Sequence, residues 1–472
     1  MGRLLAAGIG IRVVAALVLV LGPWTNTPEE LVGWDVERFQ AIADIDGRPW
    51  VDAEVEYPPG SVAVIDALAR PGVVGTHRVL VLASLAVDLA VAAAVGALGG
   101  RRAAAAYLIL GLPLVPMGLL RFDLWAAMAA VLGLAALRQR RPAAFALFTV
   151  AGALIKVWPA LLVAGAAALG RWRAVGAAVG LGAVAGVAWL GWTGWSTDAV
   201  EQVLSMRGAT GWHAESVAGS IEALRTGAEP TLQQNAYRLG TLDERVVLAG
   251  RALTVAVVGL AVGLGLRATR RLPESAPAPT AEADTAPADA TGAEITTPET
   301  TTPADPITSE ITTAAVDAGS DADLEVVALV LVAAVAALIV TSPLLSPQFL
   351  LWLTPWAALT PRRPAWTFRT VDPGTPLAGP WPLVWVCTFL ATALTGGVLT
   401  AFGPSGVAEQ QAAILLLVRD AALVAAVLVA LVGLARSGRP EDALGHGGPG
   451  PRPAGADAQV GHVADEAGGL AD

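Results

Sequence analysis

The chain is poor in the side chains that most enzymes use. It holds one lysine, Lys156, one cysteine, Cys387, and four histidines in 472 residues. A single cysteine cannot close an intramolecular disulfide, and with so few histidines, two of them in the C-terminal tail, it cannot build a zinc site. No metal or cofactor is therefore expected. No Gly-Lys-Ser/Thr loop is present, which excludes P-loop nucleotide hydrolysis. Charge is scarce as well: 15% of residues are charged against 55% hydrophobic, and the mean hydropathy is +0.61. That balance excludes an ordinary soluble domain. Basic residues are missing altogether between Arg271 and Arg362, while acidic residues recur from Glu274 to Glu325. This stretch carries an acidic excess as large as the whole net charge of −10. The rest is close to neutral, so the sign points to no partner, and no nucleic-acid partner is expected.

What is present is a series of apolar runs, at about 4–23, 77–98, 103–120, 124–137, 142–155, 157–170, 174–194, 246–266, 324–341, 348–360, 381–402 and 412–434. Alternate junctions carry Arg101-Arg102, Arg138/Arg140/Arg141, Arg171/Arg173, Arg267/Arg270/Arg271, Arg362-Arg363 and Arg436/Arg439. The positive-inside rule places all six in the cytoplasm, and both termini with them. Arg12 inside the first run, with no Ala-x-Ala site after it, argues against a cleaved signal peptide. The expectation is an all-α, multi-pass protein of the cell membrane, in contact with membrane lipids. Runs of about 14 residues reach only roughly 21 Å against a core of roughly 30 Å. The segments from 124 to 170 are therefore read as tilted, re-entrant or broken pairs.

Four regions follow. Residues 1–272 form an N-terminal membrane part with outer loops 24–76 and 195–245, the second with a surface helix. Residues 273–323, rich in Pro, Ala, Thr and acids, read as a disordered cytoplasmic linker. Residues 324–435 supply the C-terminal membrane helices, and the Gly- and Pro-rich tail 436–472 is not expected to fold.

The first outer loop collects Asp35, Glu37, Asp44, Asp46, Asp52, Glu54 and Glu56 beside a membrane span. Unpaired carboxylates near hydrocarbon are costly, so this cluster is a candidate site. Asp35, with Phe39 four residues on along the same helical face, is the candidate general base; a solvated loop acid is the alternative. Tyr57-Pro58-Pro59-Gly60 forces an extended turn, since each proline fixes its own φ and biases its predecessor away from helix. Asp44-Ile45-Asp46 is read as a turn before Gly47. Arg121, Lys156 and Arg207 put positive charge on the outer face, against the overall trend, where an anionic head group would need it. Local pairing of Arg121 with Asp123 is the alternative. Gln348, in Ser346-Pro347-Gln348-Phe349, either satisfies a helix end or reaches a sugar hydroxyl. Arg12 and Asp88 lie at comparable depth within two spans and are read as a structural ion pair.

With Asp35, Gly47, Tyr57-Pro58-Pro59-Gly60, Lys156, Glu215-Ser216 and Ser346-Pro347-Gln348-Phe349 in order, the chain resembles the GT-C membrane glycosyltransferases. It is most similar to the family 87 polyprenyl-phosphate-mannose-dependent mannosyltransferases of actinobacteria, over about residues 5–430 apart from the acidic linker. The resemblance implies a GT-C type bundle of about 10–12 membrane helices with the active site on outer-face loops. It also implies inverting transfer of a hexose, mannose in that family, from a polyprenyl-phosphate donor to a glycolipid or glycan acceptor. Asp35 takes the place of the base, and Glu56, Tyr57, Arg121, Lys156, Arg207, Glu215 and Gln348 are the expected donor- and acceptor-binding residues. Phe39 stands where the family often has Tyr. The competing class is a transporter or flippase of the cell envelope using Arg12 and Asp88 as a gated path; against it, no two halves share hydrophobic spacing.

The charge pattern makes a direct prediction. Reporter fusions after Arg102, Arg173 and Arg271 should read cytoplasmic, and fusions near Gly47 and Glu222 external; a cytoplasmic readout at residue 47 overturns this topology.

Overall fold

The computed structural model describes residues 1–22, 33–205, 210–233, 236–270, 321–343, 346–360, 383–402 and 409–437. Arg207, the linker up to residue 320 and the tail from residue 438 lie outside the described residues. The described chain is overwhelmingly helical, and seven helices are long and apolar enough to cross a membrane.

The central helix is α13 (Asp321–Thr341), which starts three residues inside the expected linker. It is apolar on every side, and every residue from Val326 to Ala337 is buried. An all-round apolar helix belongs inside a bundle. Around it pack α8 (Leu162–Ala168), α12 (Glu244–Thr269), α14 (Thr354–Leu359) and α16 (Gln410–Arg436). Small residues permit this approach: a Cβ on Gly265 of α12 would lie 2.7 Å from that of Ala168, and one on Gly165 would lie 2.9 Å from Val327. Close backbone packing of this kind holds helices together where the hydrophobic effect between them is weak. By contrast, α1 (Gly2–Leu21), α9 (Trp172–Trp192) and α12 expose apolar side chains such as Val18, Val184 and Val255 outward.

Two helical segments are broken, one clamped by the buried Arg12 and the other holding the partly open Arg121. The runs expected at 77–98 and 103–120 start as two helices, labelled together α4 (Val73–Leu110), that part at Gly100 and fold back so that Asp88 meets Tyr107. At Gly100 φ is 78°, a region glycine enters without steric cost. Arg12 from α1 clamps the two halves: its Nε donates to Asp88 at 2.5 Å and its Nη1 to the Leu108 carbonyl at 2.9 Å. Tyr107 donates to the other Asp88 oxygen at 2.5 Å. The expected Arg12–Asp88 pair is therefore present, fully buried. The second break separates a 3₁₀ turn with α5 (Val115–Leu119) from α6 (Asp123–Arg138), bent by 108°. Short α7 (Pro142–Ile155) and α8 complete the predicted region of broken and short segments.

One expectation needs correction. Residues 348–360 do not form a span; a 3₁₀ turn, Pro347–Trp352, buried against α6, leads into α14, buried against α4. The second long loop holds α10 (Asp198–Ser205) and α11 (Val217–Thr226) and a small antiparallel sheet. Its strands β1 (Trp212–His213), β2 (Thr231–Gln233) and β3 (Ala236–Leu239) lie in the order β1-β3-β2, a small addition to a chain whose described residues form the all-α class expected.

The basic junctions around Arg138 and Arg171 and the described part of the two long loops sit at opposite ends of α13. At its start, Arg171 pairs with Asp323 at 2.8 Å and donates to the Leu137 carbonyl at 2.6 Å, while Arg138 donates to the Leu98 carbonyl at 2.8 Å. Just past its end, the Pro343 carbonyl accepts from His213 N–H at 3.1 Å. A helix of this length separates the two by about 30 Å.

Asp88→Ala leaves Arg12 buried without its counter-ion and should cost about 3–5 kcal/mol, whereas replacing both Arg12 and Asp88 by leucine should recover most of it. Unfolding of the purified protein in detergent checks both.

Candidate active site

Asp35 is in the first turn of α2 (Gly33–Ala43). The helix is seated by Val36, Phe39 and Ile42, all buried. Phe39 packs on Phe122 at 4.5 Å between centroids and edge-on to Tyr57 at 5.6 Å. That anchorage turns the Asp35 carboxylate toward Arg121, which sits in the break between α5 and α6, and the two form an ion pair. Both side chains keep about a quarter of their surface open, 26% for Asp35 and 22% for Arg121. Arg121 also donates to Ser346 Oγ at 3.3 Å, and Ser346 donates in turn to Gln348 Oε1. Asp35, Arg121 and Gln348 thus meet in one network. Local pairing of Arg121 with Asp123 does not occur; Asp123 is fully buried and accepts from Trp352 Nε1 at 2.6 Å.

The Tyr57-Pro58-Pro59-Gly60 turn has a packing reason. Pro58 is extended, with ψ 162°, and caps α3 (Pro59–Leu68). Gly60 then rests on the end of α7, where any Cβ would come within 2.8 Å of the Leu154 backbone. Ser61 Oγ donates to the Ile155 carbonyl at 2.5 Å. The next residue, Lys156, leaves α7 in an extended conformation and places Nζ 5.1 Å from the centroid of the Tyr57 ring. A cation over an aromatic face at this range is attracted by the ring quadrupole. Burial, reinforced by the charges of Asp35 and Glu56 and opposed by Arg121, holds the Tyr57 phenol well above its ordinary pKa. Glu56 is engaged elsewhere: Arg38 grips it at 2.8 and 3.2 Å and also donates to the Glu54 carbonyl at 2.7 Å. It braces α2 against the lead-in to α3. Asp44 and Asp46 lie in a turn before Gly47, and Gln40 donates to Asp44 at 2.9 Å.

The second long loop closes over the first. Gln202 of α10 accepts from Val55 N–H at 2.9 Å and donates to the Trp50 carbonyl at 3.2 Å. Glu215 lies between β1 and α11, ahead of Ser216, whose hydroxyl caps α11 by accepting from Gly219 N–H at 3.0 Å. Glu215 is buried, and burial lifts its pKa from 4.5 to about 7 against the opposing charges of Arg419 and Arg121. Its neighbour His213 is pushed down to about 3 by burial and by Arg238, Arg121 and Arg419, so it is neutral. Arg121 is therefore influenced by Asp35 through direct contact and shares an electrostatic neighbourhood with Glu215. Arg419, buried in α16, donates to the Glu215 carbonyl at 2.5 Å. Sequence reasoning missed Arg419, Asp420 and His213. The rule that picked out Arg12 and Asp88, ionisable residues inside an apolar run, also applies to Arg419-Asp420.

An open groove of about 700 Å³ is lined among others by Ile42, Trp50, Pro59, Leu154, Trp189 and Trp192. Asp35, Tyr57, Arg121 and Lys156 do not line it; Pro59 and Leu154 stand two positions from Tyr57 and Lys156. Among the described residues, no group of three His, Cys, Asp or Glu could hold a metal ion. The arrangement offers a carboxylate, two cations and an apolar trough at one end of the bundle. No family model matches the chain, and neither the curated proteins nor the solved structures give a match.

Glu215 supplies a pH signature. Folded, it ionises near 7, and unfolded near 4.5, so its contribution to stability is complete below about 4.5 and is lost as the pH rises through about 7. Glu215→Gln should flatten the fall in thermal stability between pH 5 and 8, measured on the purified protein; an unchanged profile would rule out Glu215 as its source.

Proposed function

We propose that this protein is an inverting membrane glycosyltransferase that moves a hexose, mannose by resemblance, from a polyprenyl-phosphate donor to a glycolipid or glycan acceptor. The observation that carries the reading is the Asp35 carboxylate paired with Arg121, with Lys156 over the ring of Tyr57 and an apolar groove lined by Pro59 and Leu154, at the end of the bundle opposite the basic junctions. The groove suits an isoprenoid chain, and the cations suit the phosphate joining it to the sugar.

In this mechanism an acceptor hydroxyl attacks the anomeric carbon from the face opposite the phosphate. The new C–O bond forms as the bond to the phosphate oxygen breaks, and that oxygen leaves with the electron pair. Asp35 takes the hydroxyl proton. Arg121 and Lys156 meet the charge that builds on the leaving phosphate, where fixed cations in a partly dehydrated site act most strongly. Donor binding draws Arg121 toward the phosphate and loosens its hold on Asp35, which frees the carboxylate as a base. Tyr57 positions Lys156, and Gln348 acts through Ser346 to position Arg121.

The finer architecture belongs to the same proposal: a GT-C type bundle of about 10–12 membrane helices in the cell membrane, with both termini cytoplasmic and the site on the outer face. Seven long helices, with the bent α5–α6 unit as an eighth and shorter α7 and α8 beside it, support it. Clustering of basic junctions at the far end of α13 supports the orientation. The transporter reading loses one of its supports, because Arg12 and Asp88 are closed on each other and on Tyr107 in the core.

The test is transfer from a labelled polyprenyl-phosphate hexose in proteoliposomes. Wild type should form product, and Asp35→Asn, folded and inserted, should lose about a hundred- to ten-thousand-fold. Near wild-type turnover in Asp35→Asn removes Asp35 from its role, and no transfer by the wild type with any labelled donor defeats the reading.

A further inference from the structure

Lys156 does not line the groove, and Trp50 links the two. Trp50 stands on a short loop that Asp52 closes by accepting from Arg48 N–H at 2.8 Å. Its ring is buried, lines the groove and meets Trp189, another lining residue, edge-on at 5.6 Å between centroids. The Nε1 of the same ring donates to the Tyr57 carbonyl at 3.0 Å, and the Tyr57 ring lies under Lys156 Nζ. The Trp50 carbonyl accepts from Gln202 of α10 at 3.2 Å. These contacts are made at φ 65°, a left-handed backbone that bulky side chains seldom enter. A strained conformation lasts only where its surroundings hold it, and such residues cluster at ligand clamps and switches.

The lining of the groove says what fills it. Ala188 and Trp192 line it and are exposed on the outward face of α9, where Val184 and Val187 are exposed as well. The groove therefore opens onto an apolar helix face of the kind that a membrane covers. Asp66 is the one charged residue in its lining, so a phosphate is repelled and an uncharged hydrocarbon chain is admitted. We propose that Trp50 is a positioning residue that couples filling of the groove by an isoprenoid chain to the placement of Lys156. A chain lying against the Trp50 and Trp189 rings hinders rotation of the Trp50 indole. The indole N–H then holds the Tyr57 carbonyl, and Tyr57 holds Lys156 where the phosphate arrives. With the groove empty, the strained residue is free to relax and Lys156 loses its seat, so a sugar phosphate without the chain meets an unassembled site. The isoprenoid and the phosphate rest on the glycosyl-transfer reading; the coupling of groove to lysine does not.

Lys156 is the only lysine in the chain, which gives the experiment a single reporter. Reductive methylation with isotope-labelled formaldehyde keeps its charge and makes it visible by NMR beside the α-amine. The full-length protein in lipid nanodiscs is titrated with farnesol, and the Lys156 signal of the wild type should shift and saturate. Trp50→Phe keeps an apolar wall but has no N–H. A diazirine isoprenoid alcohol should still crosslink to α9 in this variant, while the shift is lost. Ala188→Phe, at an exposed position, fills the groove and should lose crosslink and shift together. Thermal unfolding confirms that each variant is folded; if Trp50→Phe is not, Ala188→Phe decides. No saturable shift in the wild type, an unchanged shift in Trp50→Phe, or a shift that survives Ala188→Phe overturns the coupling. Loss of the crosslink in Trp50→Phe makes Trp50 a wall of the groove and overturns its positioning role. An equal shift with dodecanol overturns the isoprenoid occupant and gives the groove to membrane acyl chains. A shift without transfer from any labelled donor keeps the coupling and defeats only the enzyme reading.

Discussion

Arginines that tie together segments parted at breaks in the helices are the contacts on which this molecule depends, since a charged group beside apolar helices must find a partner. There is a break at Gly100 and another at residues 120–122, and each is held by an arginine. Arg12 ties the two halves of α4 through Asp88, Tyr107 and the Leu108 carbonyl. Arg121, inside the second break, reaches Asp35 from one segment and Ser346 from another. The two arginines differ in exposure. Arg12 is sealed in the core and serves packing, while Arg121 and its carboxylate stay partly open. A structural clamp and a candidate reaction centre are thus built from the same side-chain pair, and access separates them.

The covering of the second break also explains the two long loops. Phe39 and Tyr57 pack over Phe122 and the bend, and the Pro-Pro-Gly turn lets α3 settle onto the end of α7 without a side chain between the backbones. The second loop then locks onto the first through Gln202. Polar groups crowded under such a cover meet a low dielectric, which pushes the charge states of Glu215 and His213 toward neutrality. Only groups in direct ion pairs, such as Asp35 with Arg121, have a charged partner at contact distance.

Much of this was legible in the residues. The apolar runs, short segments between 124 and 170, the opposition of basic and acidic loops and the Arg12–Asp88 pair depend on local composition, and local composition is what a sequence displays. Asp35, Arg121, Lys156, Glu215 and Gln348 were legible as polar residues out of place in apolar surroundings. Their partners were not. Arg121 prefers Asp35, eighty-six positions away, to Asp123 nearby, because Trp352 takes Asp123. Glu56 looked like part of the cluster and is spent on Arg38, a contact set by the packing of α2 against the turn.

The sequence by itself determined that this is a helical chain suited to a membrane, which of its ends carry positive charge, and where a Pro-Pro-Gly turn must replace helix, since each follows from hydropathy, charge and backbone sterics within a short window. Tertiary structure alone decided that residues 348–360 turn inward instead of spanning, that Lys156 lies over Tyr57, and that Glu215 meets Arg419. Those outcomes depend on side chains brought together from segments distant in the chain, where the energy of burying a polar group, and so its choice of partner, is fixed only when the surrounding helices have packed.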